Sequence, residues 1–299
     1  MNTSSFIATK KKTILTILVI YFFCFAFRVL EYFVIRTDQT FLGEAFIHKL
    51  IGIGVLILAI RFFHFTFAEV GFKTGKAFYD ILKGLAFGVV TFFIAYGVEL
   101  IIASASGDLK GLELYVTAYS VDGNIGHQTD FYFFIICIIG NIINVLMEEG
   151  IFRGLFQRML NDHFKFVIAA IIASALFGFW HIMSPLRSFA DGNMSLGGFI
   201  GQTCLLVGTS FLVGFKFAMM GRLTGNLYMA MGDHFVNNTI VNILHVTLKT
   251  EGTDYYQTVR ITIAQSLSFT VVLIWYLIVY YKSRKERLIE DKQETNEVE

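Results

Sequence analysis

Apolar runs dominate this chain, separated by short polar connectors, and at least seven of them approach the ~20 residues that a helix needs to cross a bilayer. Spans are read near residues 13–35, 43–63, 78–104, 131–155, 165–183, 197–219, 225–247 and 262–281. The pattern predicts an all-α fold: a polytopic integral membrane helical bundle of about eight transmembrane helices. The first run, Thr13 to Ile35, is too long for a signal-peptide core and no small-residue cleavage site follows it, so it is read as a true span. Pro185 is the single proline, which leaves the helices largely unbroken by that residue type. Gly84 with Gly88, and Ala173, Ser174, Ala175 and Gly178, supply small faces on which membrane helices pack closely.

The longest polar connector, Ser106 to Asp130, holds Asp108, Glu113, Asp122 and Asp130 against Lys110 alone. It predicts a division into 1–130 (N-terminal membrane helices and an external loop), a core at 131–247, a last transmembrane helix within 248–285 and a charged tail at 286–299. The tail is expected to fray as solvated helix or coil.

Composition sharpens the class. The 299 residues are 55% hydrophobic and 16% charged, with 33 Phe, which is membrane rather than soluble composition. With the N-terminal Lys10, Lys11 and Lys12 inside, fifteen Lys/Arg fall on the cytoplasmic side and five on the external loops, so both termini are expected in the cytoplasm. The Phe-, Ile- and Lys-rich chain without organelle targeting points to a bacterial plasma membrane. The lipid bilayer is thus one partner; a net charge of +1 with no basic, aromatic-interleaved stripe argues against nucleic acid. Cys24, Cys137 and Cys204 lie singly in three spans, without the spacing of a disulfide framework or thiolate metal site.

Three polar clusters interrupt the apolar runs: Glu148-Glu149 with Arg153, His181 after Phe177, and His234 with Asn238. An ionisable group at bilayer depth costs at least ~2.5–3.5 kcal/mol, so each needs a partner or a function. On a helix Glu149 and Arg153 are i,i+4 neighbours, which lets Arg153 hold Glu149 while Glu148, rotated by ~100°, faces elsewhere. Membrane-edge anchoring by the Glu/Arg set, an interfacial His181 beside Trp180, and interhelical hydrogen bonding by Asn237 and Asn238 are the structural alternatives. Partial burial moves a carboxylate towards neutrality, where it can serve as a general base.

The segments EEGIFR at 148–153, FGFWH at 177–181 and HFVNN at 234–238 resemble, in order and spacing, the EExxxR, FxxxH and HxxxN/D motifs of the CPBP (Abi) family of CAAX-type proteases and bacteriocin-processing or immunity proteins. The resemblance spans about 131–247. It implies an intramembrane glutamate endopeptidase without a cofactor, in which Glu148 activates water with help from His181 while His234 and Asn238 stabilise the oxyanion; Glu149, Arg153 and Phe177 support them. The implied substrate is a peptide or membrane-associated protein, with a sensor or peptide-export system as a further candidate partner. Three readings compete with it. Glu148, His181 and His234 could form a three-ligand zinc site, although HExxH is absent and the two His lie 53 positions apart. A non-catalytic immunity or regulatory protein would share the fold, and a proton-relay transporter would show inverted repeats, of which none is visible. Depth counting raises a conflict: with span four ending at 155, Glu148 and His181 sit towards opposite faces of the membrane unless that span begins later and runs to about Leu160, or span five is tilted or shifted.

Overall fold

The structure, a computed structural model, describes residues 9–40, 45–118 and 125–298, with side chains as far as Glu286. Asp122 of the connector and the side chains of the 287–299 tail lie outside the described residues. Helix α1 (Lys10–Leu30) opens with Thr9 accepting from the Lys12 amide and runs into a wide π-type turn, Glu31–Ile35. There follow α2 (Ile47–Phe62), α3 (Ala77–Ala105), strands β1 (Leu109–Leu114), β2 (Val116–Ala118) and β3 (Ile125–Gln128), then α4 (Phe131–Glu148). A second π-type stretch, Glu149–Phe156, joins α4 to α5 (Gln157–Asn161). Next come α6 (Phe166–Trp180), α7 (Met183–Ala190), α8 (Leu196–Thr224), α9 (Tyr228–Ile243), β4 (Leu244–Leu248) and α10 (Gln257–Val298).

The helical membrane bundle is as expected, but the number of spans is not. Six helical stretches among the described residues are long and apolar enough to cross a membrane: 10–35, 74–105, 131–161, 166–190, 196–224 and 257–286. The expected spans at 43–63 and 225–247 fold as α2 and α9, each of 16 residues. At ~1.5 Å per residue that is about 24 Å, short of the ~30 Å hydrocarbon core. For α9 the reason is visible. Its last expected turn is strand β4, which pairs antiparallel with β1 from the supposed connector, Leu112 opposite Val246 and Leu114 opposite Leu244. Tyr96 of α3 donates from its hydroxyl to the Leu244 carbonyl (2.5 Å) and so ties down the point where helix becomes strand.

Packing explains the glycines. Helix α3 lies along α9. A Cβ on Gly84 would come within 2.1 Å of the Met229 carbonyl oxygen, and one on Gly232 within 2.5 Å of that of Ile81. Backbone meets backbone here, so a side chain at either position requires the helices to part. Around α1, α2, α4–α5 and α6 the core is aromatic: Tyr21, Phe152, Phe156, Phe177 and Trp180 pack in one buried cluster.

Beside the small β1–β4 sheet lies a buried charge cluster. Arg260 donates to Glu99 (2.7 Å) and to Asp254 (2.9 Å), and Asp254 also pairs with His245 Nδ1 (2.7 Å). Burial alone would raise the Asp254 carboxyl, but the His245 hydrogen bond and the Arg260 charge outweigh it and hold the group below the usual carboxylate value. A depressed folded value adds stability that is fully present above the unfolded value of ~3.9 and is lost as pH falls through the folded one. The thermal midpoint of the wild type should therefore exceed that of Asp254→Asn by a constant margin above about pH 5, and the margin should shrink steadily below about pH 4. A margin unchanged at pH 3 would show that the residue acts by shape rather than charge.

Candidate active site

Glu148 and Glu149 stand where the α-helix gives way to the π-type turn, both buried. Widening of a helix to i→i+5 bonding shifts the side chains that follow, and such stretches collect at functional sites. Here two consecutive carboxylates reach the same imidazole. His234 of α9 contacts Glu149 Oε1 through Nδ1 (2.8 Å) and faces Glu148 Oε2 with Nε2 at 3.5 Å. Because Glu149 is also clamped by both arms of Arg153, through Nε (2.6 Å) and Nη2, its carboxylate acts as acceptor and His234 Nδ1 as donor. The i,i+4 pairing expected of Glu149 and Arg153 is present. The sequence did not indicate the second duty of Glu149, which is to set the ring of His234.

Glu148 is held by other elements. Trp180 Nε1 of α6 donates to Oε1 (3.2 Å), Asn144 Nδ2 one turn earlier donates to Oε2 (3.3 Å), and Arg28 of α1 lies 3.9 Å from Oε1. Arg28 is itself sandwiched, over the rings of Trp180 (4.6 Å) and Tyr32 (5.0 Å), and its Nη1 approaches His48 Nε2 (3.5 Å). His48 in turn pairs with Glu31 (2.6 Å), whose carboxylate also accepts the Ile47 and His48 amides at the start of α2. Negative charge at a helix N-terminus is favourable, so Glu31 anchors α2 against α1 and fixes the wall behind Arg28.

Phe177 fills the space between the motifs. Its ring is 4.7 Å from that of His181, 6.2 Å from that of His234 and 4.0 Å from the Arg153 guanidinium. Phe217 of α8 stacks on His234 at 4.9 Å. His181 caps α6, with Nδ1 2.8 Å from the Phe177 carbonyl oxygen; a carbonyl accepts, so Nδ1 carries the proton and Nε2 is left as acceptor.

The depth conflict disappears because α4 continues through the π-type stretch to Asn161. Counted from the short connector that follows, Glu148 lies 13 residues before Asn161 and His181 lies 15 after Phe166, about 20 and 22 Å along the helices. Asn238 shares the His234 face of α9 one turn on and is half-buried. Its described hydrogen bonds run to Asn237 and Asn242, rather than to Glu148.

Arg28, Asn144 and Trp180 are the site residues that sequence reasoning missed. Arg28 carried a signal, since a charge inside an apolar span needs a partner. Trp180 sits inside FGFWH but reads as an interfacial aromatic until its indole is seen on Glu148. Among the described residues no group of three or more His, Cys, Asp or Glu converges as ligands of one ion would.

The fold and site define a membrane-embedded helical protein with a buried carboxylate-histidine centre. Residues 130–240 match the family described as Type II CAAX prenyl endopeptidase Rce1-like, consistent with the CPBP and CAAX-protease resemblance of the three motifs. No curated protein matches the chain. The match covers under half of the chain and includes every motif residue, while Arg28 lies outside it. It supports a protease function in general and, with the apolar helices, an integral membrane protein.

Proposed function

We propose that the chain is an intramembrane endopeptidase of the glutamate type, acting on a peptide or membrane-associated protein. The observation that carries this reading is the placement of His234 between two carboxylates of different duty, Glu149 clamped by Arg153 and Glu148 turned to the open side of the imidazole. Glu148 takes a proton from water, which also donates to the free Nε2 of His181, and the resulting hydroxide attacks the carbonyl carbon of the scissile amide. His234 Nε2 and Asn238 Nδ2 donate to the oxyanion; in doing so His234 carries a proton on each nitrogen, its charge balanced by Glu149. When the tetrahedral species collapses, the C–N bond breaks and the leaving amine takes the proton from Glu148. A buried carboxylate oriented by two fixed donors and a nearby guanidinium loses little to reorganisation during such a cycle.

Comparison of peptides in membranes bearing wild-type and Glu148→Ala protein tests the activity. A product peptide present only with the wild type is the supporting result; identical profiles would favour a binding protein of the same fold. For the oxyanion role, Asn238→Ala should lower turnover by on the order of 10²–10³-fold with little change in KM. Chelator should leave turnover unchanged. One zinc per chain by elemental analysis, lost in His181→Ala or His234→Ala, would overturn the mechanism.

A further inference from the structure

Beyond the residues assigned so far, a row of side chains runs from α8 through α10 to Asn238, and its polarity is fixed at one end. Lys216 of α8 is buried and has three N–H groups. The ammonium forms an ion pair with Asp233 Oδ2 (2.6 Å) and donates to Ser268 Oγ (3.0 Å) and to the side-chain amide of Gln265 (3.0 Å). An ammonium only donates, so the Gln265 atom facing it is the oxygen, and the other end of that amide is a donor. That NH2 lies 2.6 Å from the Asn237 amide, which must therefore accept with Oδ1. Asn237 is left with its own NH2, 3.1 Å from the Asn238 amide, which must accept with Oδ1 in turn. Asn238 then has one end of its amide uncommitted, the NH2, and among the described residues nothing accepts from it.

We infer that Lys216, Gln265 and Asn237 form a directional relay that sets the Asn238 amide with its NH2 towards the reacting centre. They are positioning residues, none of them in contact with the reacting atoms. This rests on the oxyanion role of Asn238 proposed above, and it explains why a charged Lys sits among apolar helices although Asp233 alone would neutralise it. It also gives α10, which lies outside the matched family segment, a part in the chemistry.

The decisive variant is Gln265→Glu, which keeps the shape and reverses the logic. The carboxylate it introduces still accepts from Lys216 but has no N–H to offer Asn237, so the Asn237 amide turns to donate. Asn238 must then donate to Asn237 Oδ1 and presents its own oxygen to the site. Asn237→Asp forces the same inversion from the next residue, so misfolding of one variant leaves the other to decide.

Two measurements separate the relay from the function it serves. In protein labelled with 15N-asparagine, the side-chain NH2 resonances of Asn237 and Asn238, assigned by their loss in the Asn→Asp variants, should both move in Gln265→Glu. An unmoved Asn238 signal overturns the relay regardless of activity. With a pool of internally quenched peptides as substrate, Gln265→Glu and Asn237→Asp should each lower kcat by ~10²–10³-fold with KM changed by no more than about twofold, and Gln265→Glu should cost nothing further in an Asn238→Ala background. Wild-type kcat in both variants overturns the relay. A wild type that cleaves none of the pool, or full turnover in Asn238→Ala, overturns the catalytic reading instead, and the resonance measurement alone then decides whether the amides are coupled.

Discussion

Glu148→Gln is expected to leave a folded protein that has lost turnover by on the order of 10²–10⁴-fold, the range for removal of a positioned general base. Gln keeps the volume and one oxygen, which still accepts from Trp180 at the place of Oε1 (3.2 Å), while the Asn144 amide, 3.3 Å from the place of Oε2, turns to accept from the new NH2. Arg28 loses the charge 3.9 Å away but retains the faces of Trp180 and Tyr32 and its contact with His48. The thermal midpoint should therefore change little while product formation falls. The measurement is turnover of internally quenched peptides beside thermal unfolding in the same detergent. Equal loss of turnover and of midpoint would mean that Glu148 serves as a structural anchor.

Glu149→Gln should behave in the opposite way, as chiefly a stability mutant with an activity defect that follows from it. The carboxylate holds Arg153 through two hydrogen bonds and His234 through a third, all out of solvent. Removing one partner of a buried pair strands the other charge and costs about 3–5 kcal/mol. Arg153 would keep one neutral acceptor oxygen and the faces of Phe177, Phe217 and Phe152, at 4.0, 5.4 and 5.8 Å. The His234 ring would also lose the acceptor that fixes its Nδ1 proton. Reversible unfolding in mixed micelles gives the free-energy difference. A loss under about 1 kcal/mol, as for an exposed pair, would show that water reaches the Arg153 pocket.

Some of this molecule is written in its local pattern. Apolar runs of sufficient length determine a helical membrane bundle because only a helix satisfies the backbone polar groups of a single segment from within that segment in lipid. The i,i+4 spacing of Glu149 and Arg153 determines their pairing, since the helix brings those positions together whatever surrounds it. Glu148, His181, His234 and Asn238 stood out as candidates in the same way, as expensive groups at bilayer depth in three motifs.

What the tertiary structure decided are the relations between elements, for which no period in the chain gives a sign. Trp180 meets Glu148 across 32 positions and Gln265 meets Lys216 across 49. Arg28 reads as a stray charge in the first span until its guanidinium is seen 3.9 Å from the Glu148 carboxylate. The apolar run at 225–247 looked long enough to cross, yet its last four residues lie in strand β4 and pair with β1, and that pairing is available only because α3 returns the connector to the end of α9. The π-type stretch after Glu148 likewise has no mark in the sequence. Its wider turn lets two adjacent carboxylates share one histidine, a geometry that a regular α-helix, with neighbours ~100° apart, would not give.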